Sequence, residues 1–240
     1  MTMPEAAAAG AARDVPGWYG KLSSLGDFAQ RRLPVPWMQA CDTWLSSAMQ
    51  GSRVALGERW LEVYLTAPVL RFAWAPGVVD SMWWFGLLMP SCDSVGRYFP
   101  LLIAHPRMKP PEDRIALDHL ELWYEHLADA AVLTLQDSQG SVDALEAALR
   151  DAPPWPTPGR GPMLATQHDA QAQHLRLVHG SPLSHWLHGV AAQVLASGLH
   201  GRTLWWRTTE AGTEDSVDII QGLPDGVRFA DLLAGRVGGP

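Results

Sequence analysis

The chain has 240 residues, of which 47% are apolar and 18% are charged, a composition typical of a folded globular protein and not of a disordered one. Its 18 basic and 25 acidic residues give a formal net charge of −7. Without a basic run to offset that charge, the sequence disfavours binding to the phosphate backbone of nucleic acid.

The N-terminal residues 1–15 are predicted to be a disordered tail, because they lack the basic start and the long apolar stretch of a signal peptide. The two cysteines, Cys41 and Cys92, are too few for a disulfide framework or a zinc site, so we expect free thiols. The most apolar stretch, residues 72–92, contains prolines, glycines and an aspartate, which predicts strands and no membrane insertion. We therefore expect a cytoplasmic protein.

The first half of the chain alternates short strands and helices. Residues 17–22 predict a strand that ends in a polar turn, followed by a helical region. Two prolines and an apolar stripe from Trp37 predict a helix that ends at Gly51, and residues 58–65 predict a shorter one.

Three strands are predicted next, over residues 69–74, 82–89 and 97–104. The connections are short and rich in turn residues, which indicates an antiparallel meander. Trp83 and Trp84 are adjacent in the middle strand and must point to opposite faces of the sheet. Both faces therefore need an apolar cover, which accounts for much of the unusual total of 12 tryptophans.

Helices predicted over residues 112–135 and 141–150 can supply part of that cover. A further apolar stripe from Leu183 to Leu195 predicts another helix, and a strand hairpin with a terminal helix completes the chain. These elements predict an α+β fold in which helices cover both faces of an antiparallel central sheet, a three-layer sandwich. We expect residues 16–240 to form a single domain.

A proline-rich segment, residues 151–163, has five prolines and two glycines in 13 positions and predicts a surface loop. Trp155 lies in this loop, apart from every apolar stripe. It either anchors the loop to the core or is exposed, and an exposed Trp155 would be a candidate binding residue.

The common catalytic motifs are absent from the sequence: there is no phosphate-binding GxxxxGK[ST] loop, dinucleotide GxGxxG motif, GxSxG elbow or HExxH pair. We accordingly predict no catalytic residue, no metal site and no cofactor.

Two segments carry more charge and glycine than packing alone requires, namely residues 17–32 and residues 88–101. In a structural interpretation, Asp27 caps a helix while Asp93 and Arg97 brace a hairpin turn. In a functional interpretation, both turns lie together at one end of the sheet and form a recognition surface. The candidate partner-binding residues are Lys21, Ser23, Asp27, Arg31, Arg32, Asp93, Arg97 and Trp155.

The motifs GWYGKLSSLGDF, APVLRF and GLLMPSCDSVGRYFPL occur in this order, with Trp44 inside the intervening helix. Together with LWWRT and GLPDGVRFADLL near the C-terminus, they resemble the TagF family of type VI secretion-associated proteins. The resemblance is strong over residues 16–104 and looser beyond them. It implies a fold similar to longin-type sandwiches.

The resemblance also implies a function and a partner: post-translational repression of type VI secretion assembly and firing, through the forkhead-associated scaffold protein of the system. One alternative is a metal- or phosphate-dependent enzyme that uses Asp27, Asp93 and Arg97. Another is a structural subunit of the secretion apparatus. The sequence makes no prediction of the oligomeric state.

Overall fold

The computed structural model describes most of the chain, namely residues 15–111, 114–136, 142–156, 163–168, 173–177, 179, 190–191, 194–207 and 216–235. Three predicted features lie wholly or partly outside these ranges: the N-terminal tail, the end of the proline-rich loop, and most of the helix predicted from Leu183 to Leu195.

The principal strands and helices follow in this order: β1 Gly17–Gly20, β2 Ala29–Arg31, α1 Val35–Leu56, α2 Trp60–Thr66, β3 Leu70–Trp74, β4 Trp83–Met89, β5 Leu101–Arg107, α3 Arg114–Gln136, α4 Val142–Arg150, β6 Met163–His168, β7 Gln173–Leu177, β8 Arg202–Trp206, β9 Val217–Gln221 and α5 Gly226–Ala234. Residues 190–191 and 194–198 are also helical.

Seven of the strands form one antiparallel sheet in the order β2-β1-β5-β4-β3-β8-β9, while β6 and β7 form a separate hairpin. The predicted meander is confirmed as β3-β4-β5, with Phe72 opposite Gly86 and Gly86 opposite Ala104. The N-terminal strand β1 pairs with β5, far along the chain, and places the first turn of the protein beside the β4–β5 connection.

One face of the sheet packs against α1, α2 and α5. Trp84 on β4 stacks on Trp37 of α1, with ring centroids 4.1 Å apart, and Trp37 lies 5.8 Å from Trp74 of β3. Trp205 of β8 joins the same cluster, and Phe229 of α5 covers it from above. This face accordingly holds an aromatic core that spans several strands.

The other face packs against α3 and α4. Trp83 and Phe85 of β4 point to this side, where Trp123 and Leu127 of α3 and Leu145 of α4 are buried. The neighbours Trp83 and Trp84 therefore belong to different cores, as their adjacency predicted. The predicted α+β class, with helices on both faces of an antiparallel sheet, is confirmed.

The predicted end of the first helix at Gly51 is wrong, because α1 continues to Leu56 and stops at Gly57, which adopts a left-handed φ of 55°. Gly51 instead marks a close crossing of α1 and α5. A Cβ atom added to Gly51 would lie 2.7 Å from the Cα of Gly226, so the glycine permits backbone contact between the two helices.

Two further boundaries differ from the sequence-based expectation. The segment after the first turn forms the short strand β2 before any helix begins. Strand β5 begins at Leu101 and not at residue 97, because Arg97 belongs to a turn closed by the hydrogen bond from the Asp93 amide to the Arg97 carbonyl, at 3.1 Å. Both cysteines are free, as predicted; Cys41 is buried and Cys92 is half-buried.

We expect Gly51→Ala to destabilise the protein by about 1–3 kcal/mol, the usual cost of overpacking. Alanine normally favours a helix interior over glycine by about 1 kcal/mol, so a loss of stability would isolate the contact with Gly226. Urea unfolding measures the effect, and Ser47→Ala at an exposed position of α1 is the matched control. A Gly51→Ala protein more stable than the wild type would contradict the close packing of these helices.

Candidate functional site

The two charged segments meet at one end of the sheet. Tyr19 of β1 is opposite Leu102 of β5, so the turn that follows β1 lies beside the residues that precede β5. The amide of Ser94 donates to the carbonyl of Leu25 at 2.9 Å, and Ser91 Oγ donates to the carbonyl of Lys21 at 2.8 Å. We call this pair of turns, residues 21–28 and 91–97, the two-turn junction.

Asp93 is the centre of the junction and has no exposed side-chain surface. Its Oδ2 atom accepts hydrogen bonds from Lys21 Nζ and from Arg97 Nε, both at 2.7 Å. Its Oδ1 atom accepts from the amides of Arg97, at 2.8 Å, and Val95, at 3.1 Å. Both carboxylate oxygens are thus used to hold the two turns together.

The environment of Asp93 determines its protonation state. Burial alone raises the pKa of the Asp93 carboxyl, but the hydrogen bonds from Lys21, Arg97 and Val95 outweigh burial and hold that pKa well below its ordinary value. The carboxylate is therefore ionised at neutral pH, and Lys21, itself buried, has an opposite charge within hydrogen-bond distance.

An aromatic cluster adjoins the ion pair. Phe28 stacks on Tyr19, with ring centroids 5.7 Å apart and planes 9° from parallel, and meets Phe99 edge-on at 4.8 Å. The Nζ atom of Lys21 lies 5.0 Å from the centroid of Phe28. One side of Phe28 remains exposed, so the junction presents an aromatic ring whose orientation is set by its neighbours.

The β4–β5 connection is also fixed from α2. The hydroxyl of Tyr64 donates to the carbonyl of Ser91 at 2.9 Å and accepts from the amide of the same residue at 3.0 Å. Sequence reasoning missed both Tyr64 and Phe28 as site residues. Phe28 ends the quoted GDF motif, which is the signal that could have found it, whereas Tyr64 looked like an ordinary core residue of its helix.

Three other candidates lie at or near the junction. Ser23 Oγ donates to the carbonyl of Thr134 at 2.6 Å and so ties the first turn to the C-terminal part of α3. Asp27 is exposed and accepts from the amide of Phe28 at 2.8 Å; the expectation that it caps a helix is wrong, because strand β2 follows. Arg31 is exposed on β2, where its guanidinium donates to the carbonyl of Gln30.

Arg32 belongs to a separate charged cluster. Its guanidinium donates to both oxygens of Glu146 on α4, at 2.6 and 2.9 Å, and to the carbonyl of Pro16. Trp18 Nε1 donates to the same carboxylate at 2.7 Å. Burial raises the pKa of Glu146, but the hydrogen bonds from Arg32 and Trp18 lower it more. Arg32 has a φ of 61°, the only positive φ of a non-glycine residue in the described chain.

Trp155 anchors the described start of the proline-rich segment. Its ring lies 4.8 Å from Phe85 and 5.1 Å from Trp123, on the face of the sheet that α3 covers. The guanidinium carbon of Arg107 lies 4.5 Å from its centroid. Trp155 is half-buried, and its contacts with Phe85 and Trp123 favour the first of the two expectations, that it anchors the loop to the core.

The enzyme alternative required Asp27, Asp93 and Arg97 to surround a ligand. The structure brings Asp93 and Arg97 together, but the four hydrogen bonds to Asp93 use the acceptor capacity of a carboxylate, and Asp27 makes its own local turn. Within the described ranges, no group of three or more His, Cys, Asp or Glu side chains could hold a metal ion. Every helix there is too short or too polar to cross a bilayer.

The sandwich and the junction together define an α+β protein in which a buried ion pair braces an exposed aromatic and basic surface. A family model of the TagF N-terminal domain, described as type VI secretion system-associated, matches residues 17–152. The chain therefore belongs to the TagF family, and the resemblance seen in its motifs is confirmed.

A solved structure supports this assignment over nearly the whole chain. The protein is similar to PA0076 from Pseudomonas aeruginosa PAO1, with 30% sequence identity and a TM-score of 0.74, over 94% of this chain and 96% of that one. No curated protein matches the chain. The likeness to PA0076 extends past residue 152, where the family match ends.

We expect acid to weaken the fold partly through Asp93. Because the pKa of Asp93 is held below the ordinary value of about 4, its stabilising contribution is complete above about pH 5 and is lost as the pH falls below it. The urea midpoint of the wild type should fall steeply from pH 7 to pH 3. The Asp93→Asn protein should have a lower midpoint at pH 7 and a smaller fall. Asp27→Asn, at an exposed position, should keep the wild-type slope. Equal slopes for Asp93→Asn and the wild type would contradict this role.

Proposed function

We propose that this protein is a cytoplasmic, non-enzymatic negative regulator of type VI secretion assembly and firing, and that it acts by binding the forkhead-associated scaffold protein through the two-turn junction. Membership of a type VI secretion-associated family supports the biological setting. The observation that carries the binding proposal is the buried Lys21–Asp93 pair, which holds two sequence-distant turns in a single arrangement under exposed side chains.

The junction has the residue types that dominate protein interfaces. Aromatic and arginine side chains contribute most of the binding energy at typical hot spots. Here Phe28 and Arg97 keep exposed surface although both are already held, Phe28 by Tyr19 and Phe99, and Arg97 by Asp93 and by the carbonyl of Gly26 at 2.5 Å. Side chains ordered before binding lose less conformational entropy when the partner arrives.

The tip of the second turn completes this surface. Val95 exposes 69% of its area, although its amide is bound to Asp93. An apolar side chain on a fixed backbone, two positions before Arg97 in the same turn, suits the centre of a contact patch. In this proposal Asp93 and Lys21 are positioning residues, since both are buried and act through the turns that they connect.

The non-enzymatic part of the proposal is supported by the chemistry of the same residues. The carboxylate of Asp93 is enclosed and its acceptor positions are used by protein donors. An acid, base or metal ligand must be able to reach substrate or ion. The family itself is described by its association with secretion.

The test compares two exposed valines. Val95→Glu should weaken binding to the purified scaffold protein of the same organism at least tenfold, about 1.4 kcal/mol, and should relieve repression of secretion in cells. Val54→Glu is the matched control, because Val54 is 81% exposed on α1 and lies outside both turns. Calorimetry gives the affinity, and thermal unfolding confirms that both variants fold.

Two results would overturn the proposal. One is wild-type affinity of the Val95→Glu protein for the scaffold. The other is no binding by the wild type together with unchanged secretion when the protein is overexpressed. Stoichiometric recovery of the protein in purified, assembled secretion apparatus would favour the structural-subunit alternative instead.

A further inference from the structure

Helix α3 carries a second exposed surface that the proposed scaffold site does not use. The inner side of the helix is buried on the sheet through residues such as Leu120, Trp123 and Leu127. At 100° per residue, the side opposite to these is an arc of about 80°, which includes six residues from Ile115 to Leu133 with spacings of three or four. We call this arc the α3 outer stripe; its members are Ile115, Asp118, Leu122, Glu125, Asp129 and Leu133.

All six side chains of the α3 outer stripe are exposed, and three of them are acidic. Three are large aliphatic residues, of which Leu122 exposes 54% of its area. Single exposed leucines are common, but a row of three on the outer side of a helix that already buries its other side is an apolar track. Ile115 and Leu133 are 18 positions apart, which makes the track about 27 Å long.

The charge of the helix is one-sided. After Arg114, α3 contains four acidic residues and no lysine or arginine. Glu121 is paired with Arg71 of β3, whereas Glu125 and Asp129 follow at i, i+4 spacing on the outer side. Like charges at this spacing destabilise a helix by a few tenths of a kcal/mol, where a Glu–Lys pair would stabilise it. The stability of the isolated helix therefore does not favour acidic residues at both positions.

We propose that the α3 outer stripe is a docking surface for a basic amphipathic helix of a partner protein, about five turns long, with an aliphatic stripe bordered by lysine or arginine. Its apolar side would pack on Ile115, Leu122 and Leu133, and its cationic borders would face Glu125 and Asp129. This inference does not depend on the scaffold-binding proposal.

Charge complementarity selects this occupant among the others that an apolar track could take. Anionic lipid surfaces and nucleic acids would be repelled by the carboxylates. A second copy of this chain would place the same acidic residues on both sides of the contact, where they would repel each other. The net charge of −7 on each copy would add to this repulsion. A cationic amphipathic helix complements both the three aliphatic side chains and the carboxylates of Glu125 and Asp129.

The experiment uses the full chain and a labelled synthetic 18-residue peptide with leucines at helical spacing and lysines elsewhere. A scrambled peptide of the same composition has equal charge but no apolar side. Fluorescence anisotropy should show binding of the amphipathic peptide at least tenfold tighter than that of the scrambled one. Hydrogen exchange should slow in residues 114–136 when the amphipathic peptide binds.

Variants assign the binding to the α3 outer stripe. Leu122→Gln combined with Glu125→Lys should weaken peptide binding at least tenfold. Leu65→Gln is the control, because Leu65 exposes 60% of its area on α2, in the layer on the other side of the sheet. The doubly substituted protein should retain its affinity for the scaffold, and Val95→Glu should retain its affinity for the peptide, so failure of either proposal is visible separately.

The proposal is overturned if the scrambled peptide binds equally well, if the doubly substituted protein binds like the wild type, or if hydrogen exchange changes elsewhere in the chain. It is also overturned if anionic vesicles bind the wild type through Leu122. Analytical ultracentrifugation would also overturn the proposal if the wild type were a dimer and the Leu122→Gln protein a monomer, because the α3 outer stripe would then be a self-association surface.

Discussion

Burial of the central sheet on both faces is the constraint on which the rest of the structure depends. Neighbouring tryptophans on β4 enter different cores, so helices must cover the sheet on either side. Helices cover both faces of the sheet, α1, α2 and α5 on one side and α3 and α4 on the other. The turns are therefore exposed to solvent at the ends of the strands. The layered core therefore decides where a recognition surface can form.

Strand order then determines which turns meet. Because β1 pairs with β5, the turn after β1 and the connection before β5 lie at the same end of the sheet. Lys21 and Asp93, 72 positions apart, pair there away from water. A buried charge without a partner is strongly destabilising, so each of the two turns depends on the other for its conformation. The partly exposed side chains of Phe28 and Arg97 contact this pair, so their positions are restrained by it.

The fold was more predictable than the site. Helical and strand periodicity placed the meander, the covering helices and the α+β class, because those patterns report directly on which side of each element is buried. Local signals failed where a distant contact decided the outcome. Gly51 looked like a helix end but is a crossing point with Gly226, and Arg97 looked like the start of a strand but is held in a turn by Asp93. The sequence left open whether Trp155 anchors the loop or is exposed, and its contact with Phe85 favours the anchor.

By itself, the sequence determined the family, the layered class of fold and the two segments that carry the unusual charge. The tertiary structure alone decided that Asp93 pairs with Lys21, that Arg32 pairs instead with Glu146, and that the outer side of α3 is left with aliphatic and acidic residues. The physical reason is that periodicity is a local property of the chain. The pairing of buried charges depends instead on strand order and on desolvation. Both are properties of the assembled sheet, which a local sequence pattern does not report.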